Sequence, residues 1–173
     1  MLERLEPGVY VDDDRSLAAI VGHLLVRRRE TFAIAESCTG GLLAAETTKV
    51  PGSSRWFRGG WVVYSDELKR QLAGIDRAIL ERHGAVSEPV ARLLAEAVRE
   101  RCGADWGIGI TGIAGPDGGT RAKPVGLVHV GLASRFATSH WRTVRPGDRE
   151  GVRRGSVNFA FERLRRALIG SDH

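Results

Sequence analysis

The chain has 173 residues, with 26 basic against 21 acidic side chains and a formal net charge of +5. That length supports one domain with its own core, and the positive balance favours an anionic partner. Cys38 and Cys102 lack paired spacing, which argues against a disulfide framework or a zinc site and points to a reducing, cytoplasmic setting. The acidic N-terminus and the lack of a long apolar run argue against a signal peptide or a membrane span. With only two Tyr and five Phe for base stacking, composition favours a small phosphorylated metabolite and makes nucleic acid an unlikely partner.

Residues 1–173 are read as a single domain, with a loose lead-in over residues 1–12. Asp12, Asp13 and Asp14 are expected to cap a helix over Ser16 to Arg29, in which Leu17, Ile20, Val21, Leu24 and Leu25 recur with helical spacing. Arg27, Arg28 and Arg29 then form its solvated, dipole-compatible end. Thr31 to Ala35 is a short apolar run of the kind that forms a buried strand, and it stops at Glu36-Ser37-Cys38-Thr39-Gly40-Gly41. Leu42 to Lys49 has helical composition, so this stretch reads as a strand-to-helix turn. Such a turn either gathers backbone N–H groups around an anion or oxyanion, or simply caps the helix through Ser37 or Thr39.

Val50-Pro51-Gly52-Ser53-Ser54 ends that helix, and Arg55 to Ser65 reads as a strand in which Gly59-Gly60 permits a bulge. Asp66 starts a short helix carrying Lys69. Asp76 to Arg82 and Glu88 to Arg101 are two more helices, with Ser87 as the expected cap of the second and both covering one sheet face. Asp105 to Ile110 is a strand leading into a glycine-rich loop over Thr111 to Thr120. Val125 to Ala133 and Ala137 to Val144 form a hairpin. Asp148 to Ile169 is a long amphipathic helix, and Arg149, Arg153 and Arg154 near its start suggest compensation by an external anion.

Several chemistries fail on residue type. No lysine and hydroxyl follow Gly40-Gly41, as a phosphate-binding P-loop requires. The five histidines have no metal-ligand spacing, so no catalytic metal or cofactor is expected, and His129 on its apolar strand reads as a packed core residue. Ser37 lacks the glycine flanks of a hydrolase nucleophile elbow. Lys69 offers a base for Ser37 if burial keeps it neutral, and is otherwise a solvated helix lysine. Cys38 is the rival nucleophile, although strand alternation points it away from Ser37.

Ala35-Glu36-Ser37-Cys38-Thr39-Gly40-Gly41, Tyr64-Ser65-Asp66-Glu67-Leu68-Lys69, His83-Gly84-Ala85-Val86-Ser87, Thr111-Gly112-Ile113-Ala114-Gly115-Pro116 and Lys123-Pro124-Val125-Gly126 occur in this order. Together with Val50 to Ser54, they resemble the C-terminal domain family of the competence/damage-inducible protein CinA, which includes stand-alone nicotinamide-nucleotide amidases. The resemblance implies a three-layer α/β/α sandwich with a mixed, mainly parallel sheet. It also implies hydrolysis of nicotinamide mononucleotide to nicotinic acid mononucleotide and ammonia. Ser37 matches the family's nucleophile and Lys69 its partner lysine, with Tyr64 and Thr111 beside them, and Gly147-Asp148-Arg149 matches its Gly-Asp-Arg segment.

Asp66 departs from the Asn expected there, and a carboxylate facing the site would raise the pKa of Lys69. Thr39, Gly40 and Gly41 are expected to hold the oxyanion, and Thr111, Gly112 and Arg149 the phosphate. A homodimer is expected, with Trp56 and Trp61 as surface tryptophans. The alternative reading is a non-catalytic nucleotide or nucleic-acid binding module.

Overall fold

The computed structural model describes residues 16–170, so the lead-in and the Asp12, Asp13 and Asp14 cap lie outside the described residues. The elements in order are α1 (Leu17–Arg28), β1 (Phe32–Glu36), α2 (Leu42–Thr48), a 3-10 turn (Ser53–Arg55), β2 (Phe57–Val62), α3 (Asp66–Ala73), α4 (Arg77–His83), α5 (Glu88–Arg101), β3 (Trp106–Gly112), β4 (Leu127–Ala133), β5 (Thr138–Val144) and α6 (Arg149–Gly170). Ser16 caps α1, its side chain accepting from the N–H of Ala19 at 3.3 Å. Ser65 and Asp76 do the same for α3 and α4. Ser87 stands at the start of α5 but makes no capping bond, because its hydroxyl donates to the carbonyl of Gly84 at 2.9 Å. No helix among the described residues is long and apolar enough to cross a membrane.

The strands form one sheet in the order β2-β1-β3-β4-β5. β1 is parallel to β2 and β3, whereas β4 is antiparallel to both of its neighbours, so β4 alone runs against the other strands. The expected mixed, mainly parallel sheet is therefore present. β1 is buried along its whole length, with Phe32 and Ile34 in one apolar cluster and Ala33 and Ala35 in the other. This period-2 alternation divides the molecule into three layers. The first cluster joins the sheet to α1, α2 and α6, and the second joins it to α3, α4 and α5.

The register of β1 and β2 shifts by one residue between Phe32 and Ala33, so the bulge expected near Gly59 falls beside that residue. Trp56 departs from expectation. It is 2% exposed, stacked on Phe32 at 5.7 Å between centroids and fitted against Gly22, where any Cβ would collide with its ring. Trp61 is half-buried, so neither residue supplies the open aromatic surface on which the dimer expectation rested.

α5 lies unusually close to the sheet. A Cβ on Gly107, Gly109 or Gly131 would come within 2.4 Å of a carbonyl oxygen of Ala91 or Ala95, so only glycine lets the helix settle there. This close approach brings Glu88, at the start of α5, to the β4–β5 hairpin. His140 Nδ1 is 3.4 Å from Glu88 Oε2, and His140 Nε2 is 2.9 Å from His129 Nδ1. His129 is thus more than a packed core residue, because it is the buried end of a polar chain that reaches solvent at Glu88.

Burial pushes the His129 pKa down to about 4, assisted by His140, Arg142 and Lys123 and opposed by Glu88. The unfolded chain then takes up a proton near its usual pKa of 6.5, which the folded chain accepts only near 4. This contribution to stability is complete above pH 6.5 and is lost as pH falls toward 4, by up to about 1.4 kcal/mol per pH unit. Urea unfolding of His129→Phe across that window should give a flatter stability profile than the natural chain. An identical slope would contradict the assignment.

Candidate active site

β1 does not stop abruptly at its last residue. The N–H of Ser37 donates to Ile110 O at 3.0 Å, and the N–H of Val63 donates to Glu36 O at 2.8 Å, so the three strand ends stay in register one residue further. Alternation from Ala33 and Ala35 directs Ser37 to the face covered by α3, α4 and α5, in one row with Val63 on one side and Thr111 on the other. Cys38 falls on the opposite face, 5% exposed, in the apolar cluster with Ile110 and Val128. Burial pushes its thiol up to about 12, which leaves it protonated at neutral pH.

Glu36 is the residue that the sequence reading passed over. It is 1% exposed, and its carboxylate accepts from the N–H groups of Gly41 at 3.1 Å, Leu43 at 3.0 Å and Ala44 at 2.9 Å. A carboxylate on the last strand residue thus fills the positive end of the helix that follows it. The sequence signal was a lone acidic residue closing an otherwise apolar strand just before a helix. The structure corrects one expectation here, because the N–H groups of Gly40 and Gly41 are not open donors. Gly40 donates to Ser37 O at 3.0 Å, and Gly41 is held by Glu36. Among the described residues, the N–H groups of Cys38 and Thr39 have no acceptor on another residue.

Lys69 is 2% exposed, on the face to which Ser37 alternates. Its Nζ donates to Tyr64 O at 3.3 Å, and Tyr64 follows Val63, the strand neighbour of Ser37. Asp66 Oδ1 lies 3.5 Å away but is 62% exposed, so its charge is largely screened by solvent. Burial lowers the Lys69 pKa, with Asp66 opposing, and burial wins. The Asp66 departure therefore weakens the shift without reversing it.

Tyr64, 56% exposed, accepts at its hydroxyl from Arg149 Nη2 at 2.7 Å, while Arg149 Nη1 donates to Gly115 O at 2.7 Å. Arg149 thereby ties the start of α6 to two strand ends. Thr111 is fully buried and donates to Ala85 O at 2.8 Å, and Gly112 still belongs to β3. The N–H of Ile113 donates to Leu127 O, so the glycine-rich loop opens later than the sequence suggested.

Arg153 and Arg154 need no external anion. Both pair with Glu150, and Arg153 also donates from Nε and Nη2 to Thr39 O at 3.2 and 2.9 Å. A cleft of about 460 Å³ runs past Ala114, Pro116, Gly147, Arg149 and Arg153. It is of a size that takes a small organic ligand. Among the described residues, no three His, Cys, Asp or Glu side chains are placed to hold a metal ion.

Residues 14–168 match the family model described as the CinA C-terminal domain. A putative competence-damage inducible protein of Desulforudis audaxviator is 54% identical over 153 residues, covering 88% of this chain and 37% of that protein. A CinA-like protein of Synechococcus sp. (strain CC9902) is 49% identical over 172 residues, covering 98% of this chain and 41% of its own length. The chain therefore spans about two-fifths of the length of these curated relatives. Among solved structures, the competence/damage inducible protein CihA from Agrobacterium tumefaciens has a TM-score of 0.85 at 36% identity, covering 88% of this chain and 93% of that one. A CinA superfamily protein from Klebsiella pneumoniae gives 0.85 at 34% identity, covering 88% and 95%. Sequence motifs, fold and relatives agree, and the chain belongs to the CinA C-terminal domain family.

Proposed function

We propose that this domain hydrolyses the carboxamide of nicotinamide mononucleotide, releasing ammonia and nicotinic acid mononucleotide, with Ser37 as nucleophile and Lys69 as base. The observation that carries the reading is the buried Lys69, 2% exposed and depressed in pKa, on the helix that follows the strand beside Ser37 and covers the face to which Ser37 alternates. A lysine side chain buried this deeply is costly unless its neutral form is useful. The amide-hydrolysing branch of the family supplies the substrate class. A non-catalytic binding module would leave the buried amine only its contacts to Tyr64 O and Asp66.

In this mechanism, neutral Lys69 takes the hydroxyl proton of Ser37 as Oγ attacks the carboxamide carbon. The tetrahedral oxyanion is met by the N–H groups of Cys38 and Thr39, which are worth about 3 kcal/mol each in a pre-oriented site. The N–H of the residue after the nucleophile is the donor used in the strand-turn-helix hydrolases as well. Lys69 then delivers the proton to the departing ammonia, and water cleaves the resulting ester with Lys69 again as base. The Cys38 thiol takes no part, since burial keeps it protonated. Arg149 at the cleft has further N–H donors for the 5′-phosphate, and Tyr64 is exposed enough to meet the pyridinium ring.

Ser37→Ala should retain its thermal unfolding profile and lose ammonia release from nicotinamide mononucleotide by roughly 10⁴-fold or more. Undiminished release would end the assignment. Asp66→Asn removes the carboxylate that favours the charged amine, so the Lys69 pKa falls further. The acidic limb of its kcat/KM profile should move to lower pH, and movement to higher pH would contradict Lys69 as the base.

A further inference from the structure

Arg153 lines the cleft beside Arg149, and its charge invites a role as a second phosphate ligand. Its hydrogen bonds point elsewhere. Nε and Nη2 both converge on Thr39 O at 3.2 and 2.9 Å, while Nη1 is held by Glu150 Oε2 at 2.9 Å. Three of the five N–H donors of the planar fork are thus engaged by one backbone carbonyl and one carboxylate of its own helix.

That carbonyl belongs to a peptide unit with a specific task. The plane containing Thr39 O also carries the N–H of Gly40, because a peptide bond is rigid. The Gly40 N–H donates to Ser37 O at 3.0 Å. Ser37 O in turn shares its plane with the N–H of Cys38. Two rigid plates, hinged through one hydrogen bond, therefore run from the Arg153 guanidinium to the Cys38 N–H. Gly40 adopts a φ of +60°, a left-handed conformation that glycine enters easily and leaves easily, so the plate has little intrinsic stiffness. The Thr39 hydroxyl offers no help, being buried and without a hydrogen-bond partner among the described residues.

We propose that Arg153 is a positioning residue which, by clamping Thr39 O, fixes the direction of the Cys38 N–H toward the oxyanion of the reaction assigned above to Ser37. The inference rests on that reaction. Glu36 holds the later half of the turn through Gly41, Leu43 and Ala44, and Arg153 holds the earlier half. Both contacts are made to backbone groups of the turn. An oxyanion donor matters only in the transition state, so loss of the clamp acts on kcat and leaves ground-state binding intact.

Arg153→Met and Arg153→Lys test this in the full chain. In Arg153→Met, kcat for ammonia release from nicotinamide mononucleotide should fall about 10²-fold, with KM within threefold. Arg153→Lys, which keeps the charge as a single point donor, should fall in between. Amide hydrogen exchange of Gly40 should quicken at least tenfold in Arg153→Met, while amides of β3 keep their protection. A raised KM with unchanged kcat, or unchanged Gly40 exchange, would overturn the proposal and make Arg153 a phosphate ligand or a simple brace. If the natural chain released no ammonia at all, the amidase reading would fall by itself. Gly40 exchange would still report whether Arg153 holds the turn.

Discussion

One carboxylate organises the end of the sheet where the candidate site lies. Glu36 closes β1 with its backbone in the sheet and its side chain across the start of α2, where it accepts three N–H groups that have no acceptor within the helix, that of Leu43 being buried. Each orphaned donor would cost about 1–3 kcal/mol, so the strand end and the helix start are locked together. Ser37 is the next residue and inherits that fixed position. The same contact neutralises the helix end from within the chain. The capacity of the turn to meet a developing negative charge is thereby displaced one or two peptides earlier, to Cys38 and Thr39.

Burial then acts on two neighbouring groups with opposite chemical consequences. Desolvation disfavours whichever form is charged. For Lys69 it lowers the pKa and favours the amine that can accept a proton, whereas for Cys38 it raises the pKa to about 12 and leaves an inert thiol. Cys38 and Ser37 are directed to opposite faces because successive residues alternate, and Lys69 belongs to α3, on the side to which Ser37 is directed. Asp66 moderates the Lys69 effect from an exposed position. The environment thus disables the Cys38 thiol, even though cysteine is the more nucleophilic side chain in water, and this favours the proposed role of Ser37.

Much of this was legible in the sequence because strands, helices and their junctions obey local rules. The apolar run before Ser37, the double glycine after it and the short helix begun at Asp66 ahead of Lys69 predict two strand-to-helix junctions, and the sheet order sets them side by side. What stayed hidden depends on partners distant in the chain or on side-chain direction. Arg153 reads as a cation opposing a helix dipole until Thr39 O, 114 residues away, is seen beneath it. Trp56 reads as a surface aromatic until Gly22 of α1 opens a seat for it. Glu36 left only the trace of a lone acidic residue closing an apolar strand, and the Glu88–His140–His129 chain left none, because its members come from a helix and two strands that meet only in the fold. The family resemblance supplied the substrate, which geometry alone does not name.

The central claim is that the turn after β1 presents Ser37, not Cys38, to an amide carbon. The most direct test is to mix the protein with nicotinamide mononucleotide, quench in acid on the millisecond scale and map covalent adducts by peptide mass spectrometry. The account predicts the acyl group of the nucleotide esterified to Ser37. An adduct on Cys38, or full turnover with neither residue ever labelled, would contradict it.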